Sequence, residues 1–342
     1  MNKKGIPIII FILVCSFLAC LSSEPDNPIL DNFLSEPTKP GQVLMSNQAV
    51  DAVGLNTHLN YTNTVYNTRY NDIIKPSLID LGVMHIRDHL GSTIINNRYA
   101  DLAHNHDIKL LVINDDNGQN LARNISEIKR LNRMNPEKRV VELIEPANET
   151  DYGWDKEWGD ICNYLHNFYK TYKTDSETSS IPLLGPSFAD TKNSAIIFSK
   201  QCHDASSLMD IGNLHAYSGL YPESPYSGGW GISTRKAILN YRSIAANKPI
   251  IETENGYKPS MGVDGHPSVS QKTAAKYLPR LILSRLQEGI SRVYLYQLIN
   301  DHDWENFGLL NDDGTRRLQY HSLKNFLSLM NDPGDSFKPD TL

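Results

Sequence analysis

Eight short apolar runs of β character recur along this chain at intervals of roughly 25–45 residues, each followed by room for a helix. No other feature restricts the fold as much. The runs fall at 53–58, 83–89, 109–114, 140–145, 181–186, 211–217, 249–254 and 292–299. Repeated βα units favour an α/β fold with a parallel sheet, and eight of them predict a single (β/α)8 TIM barrel. The rival is an open doubly wound sheet. It would usually want a glycine-rich phosphate turn after an early strand, and the sequence has none. Between the runs, Trp158, Ile161, Cys162, Leu165, Phe168, Tyr169 and Tyr172 keep helical spacing and predict a helix over 155–172. A second helix is predicted over 270–286, with Pro279 expected to kink or split it.

The ends of the chain read differently. Lys3 and Lys4 precede an apolar run over 6–21, the pattern of a secretory signal and rather short for a lasting membrane span. The run closes on Phe17-Leu18-Ala19-Cys20, which resembles a relaxed bacterial lipobox with Cys20 as the lipidated residue. The chain is therefore expected to be exported, either lipid-anchored in the cell envelope or secreted. Residues 22–42 are rich in Ser, Pro and acids and read as a flexible linker; 43–333 read as the barrel and 334–342 as a tail. Export permits a disulfide between Cys162 and Cys202, but the expectation is two separately buried thiols. The 342 residues carry a formal charge of −6 with interspersed signs, which argues against a nucleic-acid partner.

In a TIM barrel the catalytic groups lie at the C-terminal ends of the strands. The fourth run leads into Asn148-Glu149, and the seventh ends in Thr253-Glu254-Asn255-Gly256. Two carboxylates across a barrel mouth suit the cleavage of a sugar acetal: one protonates the leaving oxygen while the other attacks the anomeric carbon. A separation of about 5–5.5 Å would imply retention of configuration. Glu252 rivals Glu254, being two residues earlier and so expected on the same strand face, but deeper. Glu145 stands in the same relation to Glu149 and is expected to be a buried, paired acid. Arg87 shares strand parity with His85 and His89, and Asn56 and His58 end the first run; all three are site candidates. Asn114 and Asp115 end the third. His104 and His106 precede the third run and so fall at the opposite, stability end of a barrel. The expected chemistry calls for neither metal nor cofactor. Aromatic residues crowd the loops after the strands, among them Tyr152, Trp154, Tyr257 and Trp304, and offer planes on which sugar rings stack.

At this point the sequence resembles the clan A glycoside hydrolases, which are retaining enzymes on a (β/α)8 barrel. The resemblance implies Glu149 as acid/base, Glu254 as nucleophile and Asn148 as a partner of the substrate 2-hydroxyl. Arg87, in GVMHIRDHLG, matches the clan's arginine that supports the nucleophile; His215 and Tyr217, in DIGNLHAY, match its His-x-Tyr. The stretch FGLLNDDGTRRLQYHSLKNF resembles the clan's exit from strand eight, so the matches run from 54 to 326. Two departures stand out. Thr150 follows Asn148-Glu149 where the clan often has Pro. In YLYQLIND the clan often carries a Trp as sugar platform, and this chain offers Gln297, with Trp304 a few residues on. The likeness is to family 5- or family 39-like barrels. It implies an oligo- or polysaccharide substrate and hydrolysis of β-glycosidic bonds. The reading from another class is a non-catalytic surface carbohydrate-binding barrel with a vestigial pair.

Overall fold

The computed structural model describes residues 46–114, 120–152, 157–220, 232–259, 267–300 and 306–331. The signal, Cys20, the 22–42 linker and the 334–342 tail lie outside these residues. Seven strands form one sheet: β1 (Val53–Asn56), β2 (His85–His89), β3 (Lys109–Ile113), β4 (Val141–Glu145), β5 (Gly212–Leu214), β6 (Ile250–Asn255) and β7 (Ile290–Leu295). All neighbours pair parallel, in the order β4-β3-β2-β1-β7-β6-β5. Helices follow or flank the strands: α1 (Ser46–Asp51), α2 (Lys75–Leu81), α3 (Thr93–His106), α4 (Leu121–Met134), α5 (Trp158–Thr174), α6 (Ser194–Ser199), α7 (Thr234–Ala245), α8 (Gln271–Gln287) and α9 (Leu318–Met330). Serines cap several of them as the sequence chemistry suggests: Ser233 accepts from the Lys236 amide and Ser270 from the Thr273 amide. Among the described residues, no helix is long and apolar enough to cross a membrane.

The sheet is curled. β1 and β7 are adjacent although they lie at opposite ends of the domain, and the sheet encloses a small core of its own, built from Leu111, Ile113, Leu143, Leu184, Ile211, Ile251 and Tyr294. A larger core fills the space between sheet and helices. The fifth apolar run, 181–186, forms no strand of its own. Leu183 bridges to Ile144 and Leu184 to Ile211, both parallel, in the gap between β4 and β5. Pro182 and Pro186 flank these two bridges and have no amide to donate, which keeps the ladder short.

Two expectations are corrected. Pro279 does not split α8, which is assigned as one helix from Gln271 to Gln287. The proline cannot donate to the Ala275 carbonyl, but Ser322 of α9 donates to that carbonyl through its hydroxyl at 2.5 Å, so the vacated acceptor is satisfied from outside the helix. Cys162 and Cys202 are not separate thiols; they form a disulfide between α5 and the chain that follows α6. The 155–172 helix expected from spacing is α5, starting three residues later.

At the end of the sheet away from the strand C-termini, a charge cluster plugs the interior, with His85, Glu142 and Arg292 buried and Asp51 partly exposed. His85 lies 2.5 Å from Glu142 and 3.0 Å from Asp51, and Arg292 reaches both acids. His104 and His106 sit in the last turn of α3, ahead of β3, at this same end.

The disulfide closes a separation of 40 residues, for which the chain-entropy model gives about 4 kcal/mol of stability. Replacing both cysteines with alanine should lower the denaturation free energy by a few kcal/mol relative to the oxidised wild type. Equal stability in denaturant titrations would contradict the bridge.

Candidate active site

The strand C-termini carry a single hydrogen-bonded network, and Arg87 on β2 is its centre. Its side chain is only 2% exposed, yet all five N–H groups are used. Nε and Nη2 fork onto Glu145 at 2.7 and 2.9 Å. Nη1 donates to Asn56 at 2.8 Å and to Glu254 at 2.6 Å, and Nη2 also donates to Asn148 at 2.7 Å. Burial alone would oppose the positive charge; Glu145 and Glu254 outweigh it and raise the guanidinium pKa further. One cation thereby joins β1, β2, β4, the loop after β4 and the end of β6.

Glu254 receives Arg87 on one oxygen and the Tyr217 hydroxyl on the other, at 3.0 Å. Burial pushes its carboxyl up, but the charges of His215 and Arg87 and the hydrogen bonds from Arg87 and Tyr217 prevail and bring it down to about 2. The group is therefore an anion at ordinary pH. Burial and the same anion push the Tyr217 phenol well above its ordinary value, so it remains a donor.

Glu149 has different neighbours. Its backbone amide donates to Ser187, and one carboxylate oxygen lies 2.8 Å from His215 Nδ1. Its side chain is 23% exposed, against 12% for Glu254. The proton count around His215 follows from its other side. Asn213 Nδ2 donates to Glu145, so Asn213 Oδ1 is an acceptor, and it takes the one Thr253 hydroxyl proton at 2.7 Å. Thr253 Oγ1, 2.9 Å from His215 Nε2, must then accept from that nitrogen. With Nε2 protonated, Nδ1 accepts a proton from Glu149 when the ring is neutral and donates one to it when the ring is charged. Burial works against a charged His215, but Glu254 and Glu149 raise its pKa.

Oxygens of Glu149 and Glu254 and a nitrogen of His215 all lie within 4.8 Å of one another. This triad could in principle hold a metal ion, but the Arg87 guanidinium already occupies one Glu254 oxygen at 2.6 Å. A second group with metal-ligand atoms, Cys162, His166, Cys202 and Asp204, has both thiols committed to the disulfide.

The remaining expected residues fall into place unequally. Asn56 is buried; besides accepting from Arg87, it donates to the Thr253 carbonyl at 3.0 Å, so it braces the site rather than lining it. His58 stacks on Tyr61 with centroids 4.7 Å apart and meets Tyr66 and Tyr296 edge-on. Gln297 is fully buried and accepts from Tyr66, behind the mouth rather than in it. Asn114 is also buried, accepting from Tyr172 and Asn124. Trp154, Trp304 and Asp115 lie outside the described residues.

Glu252 is the clear departure. It does not share a face with Glu254 but turns away from the interior to pair with Arg285 of α8. The β6–β7 register shifts between Glu252 and Asn255, where β6 carries one extra residue, so strict alternation fails there. Ile251 and Thr253 point inward, and the extra residue brings Glu254 inward as well.

Sequence reading missed Asn213, Thr253, Ser187, Tyr296 and Phe307. The half-buried rings of Tyr296 and Phe307 lie 5.8 Å apart, and Phe307 lies 5.8 Å from Tyr217. Tyr296 is legible as an aromatic within the last run, one residue before Gln297. The other three are neutral hydrogen-bonding residues; Asn213 and Thr253 lie within the stretches that carry His215 and Glu254, but their residue types carry no chemistry that marks them.

Comparison of the sequence with models of known families finds no match, and comparison with curated proteins finds none. The fold is similar to that of solved glycoside hydrolases. A family 39 glycoside hydrolase from the gut symbiont Bacteroides cellulosilyticus WH2 superposes with a TM-score of 0.60 at 18% identity, covering 84% of this chain and 65% of that one. A GH2 β-galacturonidase from Eisenbergiella tayi, bound to galacturonate, gives 0.58 at 16%, covering 83% and 51%. A Rhizomucor miehei β-1,3-glucanosyltransferase gives 0.57 at 15%, covering 79% and 96%. This chain thus spans about half to two thirds of the first two. At such identities the likeness is one of fold.

Glu149 has φ 42°, a left-handed conformation that a glutamate holds only when its surroundings impose it. Glycine adopts that geometry without strain. Glu149→Gly should therefore be more stable than Glu149→Ala by about 1 kcal/mol, the reverse of the usual order. Thermal or denaturant unfolding of the two variants checks this; the ordinary order would show that the backbone is unstrained.

Proposed function

We propose that this chain is a retaining O-glycoside hydrolase acting on β-glycosidic bonds, on a (β/α)8 barrel completed by residues 181–186. The observation that carries the reading is the unlike pair: Glu149 and Glu254 have carboxylate oxygens within 4.8 Å, one acid lying 2.8 Å from His215 Nδ1 and the other held as an anion by Arg87 and Tyr217. Oxygens this near fit the close carboxyls of a retaining site, about 5–5.5 Å apart, better than the roughly 6.5–9.5 Å that an inverting mechanism needs for its water.

Glu254 attacks the anomeric carbon as the bond to the leaving oxygen breaks, and Glu149 gives its proton to that oxygen. A glycosyl ester on Glu254 results. Glu149, now a carboxylate, takes a proton from water; the water oxygen bonds to the anomeric carbon and Glu254 departs as the anion. His215 steadies Glu149 through both proton transfers. Asn148, oriented by Arg87, faces the sugar 2-hydroxyl, and Tyr296 with Phe307 offers the apolar plane for the ring. The β-linkage in this reading is supported by the names of two structural neighbours, a β-galacturonidase and a β-1,3-glucanosyltransferase. An oligo- or polysaccharide reached after export, in lipid-anchored or secreted form, completes the proposal; the mass of the mature N-terminus distinguishes the two forms.

Wild type should hydrolyse at least one member of a panel of aryl β-glycosides, and Glu254→Gln should lose about three orders of magnitude or more in kcat. Equal activity in both would remove Glu254 as nucleophile. No turnover by either would favour a carbohydrate-binding barrel with a vestigial pair.

The pH dependence has a definite sign. Catalysis needs ionised Glu254, so kcat/KM falls as pH drops through its pKa. Tyr217→Phe removes a donor to the anion and raises that pKa, so the acid limb should move to higher pH. An unmoved limb would show that Tyr217 does not tune the nucleophile.

A further inference from the structure

We propose that Arg285 on α8, paired with Glu252, is a positioning residue that sets the contact between Tyr217 and Glu254 from behind the sheet. This rests on the functional reading above. Both partners are fully buried, on the helix side of β6 and away from the reacting carboxylates. Arg285 Nε lies 2.9 and 3.0 Å from the two Glu252 oxygens. Its Nη2 donates to the Ala216 carbonyl at 2.9 Å and to the Ser218 hydroxyl at 2.8 Å. The residues on both sides of Tyr217 thus hang from one guanidinium.

The other half of the contact is tied to the same pair. Asn255 follows Glu254, and its Nδ2 donates to Glu252 at 2.8 Å and to the Ala216 carbonyl at 3.1 Å. Ala216 and Ser218 flank the phenol donor; Asn255 follows the acceptor and Glu252 lies two residues before it. A single rigid cluster therefore fixes the two backbones whose side chains meet at 3.0 Å as Tyr217 and Glu254.

Hydrophobic packing of α8 against β6 needs no such pair. Buried ions are costly unless well paired, and Arg285 Nη1 has no hydrogen-bond partner among the described residues. A fork that reaches a carboxylate and a second backbone at once is what guanidinium supplies and ammonium does not. The β6 bulge makes the arrangement possible, since it turns Glu252 outward while Glu254 turns in.

Arg285→Met alone would strand the Glu252 charge and could unfold the protein, so the test uses the neutral double variant Arg285→Met/Glu252→Met, together with Arg285→Lys. Two readouts are taken: the pH profile of kcat/KM on an aryl β-glycoside, and a crystal structure of the double variant. The double variant should fold, lose tenfold or more in kcat/KM, shift its acid limb upward as Tyr217→Phe does, and show the Tyr217–Glu254 contact broken. Arg285→Lys should recover only part of the loss. A folded double variant with the wild-type pH profile and an intact contact would overturn the proposal. If wild type hydrolyses no glycoside, the functional reading falls by itself. The crystallographic distance then still decides: a broken contact upholds the positioning role and an intact one refutes it.

Discussion

A guanidinium buried at the top of the sheet organises everything above it. Arg87 would be an expensive residue to remove from water without partners, several kcal/mol by the usual accounting. Here five donors meet five bonds to Glu145, Asn56, Glu254 and Asn148. Those bonds fix where β1, β4 and β6 end relative to β2. They also determine that one of two nearby acids must be ionised. The fold and the electrostatics of the site are, at this residue, the same fact.

Around that centre the two acids are treated differently. Glu254 sits at the end of a bulged strand, pinned by Arg87 and Tyr217. Glu149 sits on a left-handed turn, anchored through its amide to Ser187 and through its carboxylate to His215. The loop that follows is also restrained. Asp151 accepts from the amides of Ala189 and Asp190 and from the Ser194 hydroxyl, so the segment after Glu149 is stitched to the start of α6. Thr150, where a Pro is common in the resembling clan, is buried between these anchors. Restraint on both sides compensates for a residue that does not itself fix the backbone.

How much of this could be read from sequence depends on which physical rule each residue obeys. Strand ends are legible because apolar runs stop where the chain leaves the sheet, and the ends at Asn56, Arg87, Glu149, His215 and Glu254 do gather in one cluster of contacting side chains. Parity failed at Glu252, because a bulge is a property of two strands in register and not of either alone. Proline rules cut both ways. They account for the fifth run making bridges instead of a strand, but α8 survives Pro279 because Ser322, 43 residues on (322 − 279), satisfies the vacated carbonyl. The Cys162–Cys202 bridge depends on which helices pack together, as do the roles of Asn213 and Thr253. No local pattern announces such contacts.

The central claim is that Glu254 forms a bond to sugar while Glu149 manages the proton. Its most direct test is to trap the intermediate with a 2-deoxy-2-fluoro β-glycoside bearing a good leaving group, and to locate the label by peptide mass spectrometry. The account predicts one added glycosyl unit per chain, attached to Glu254. A label on any other residue would contradict it, as would turnover that gives the inverted anomer with no label at all.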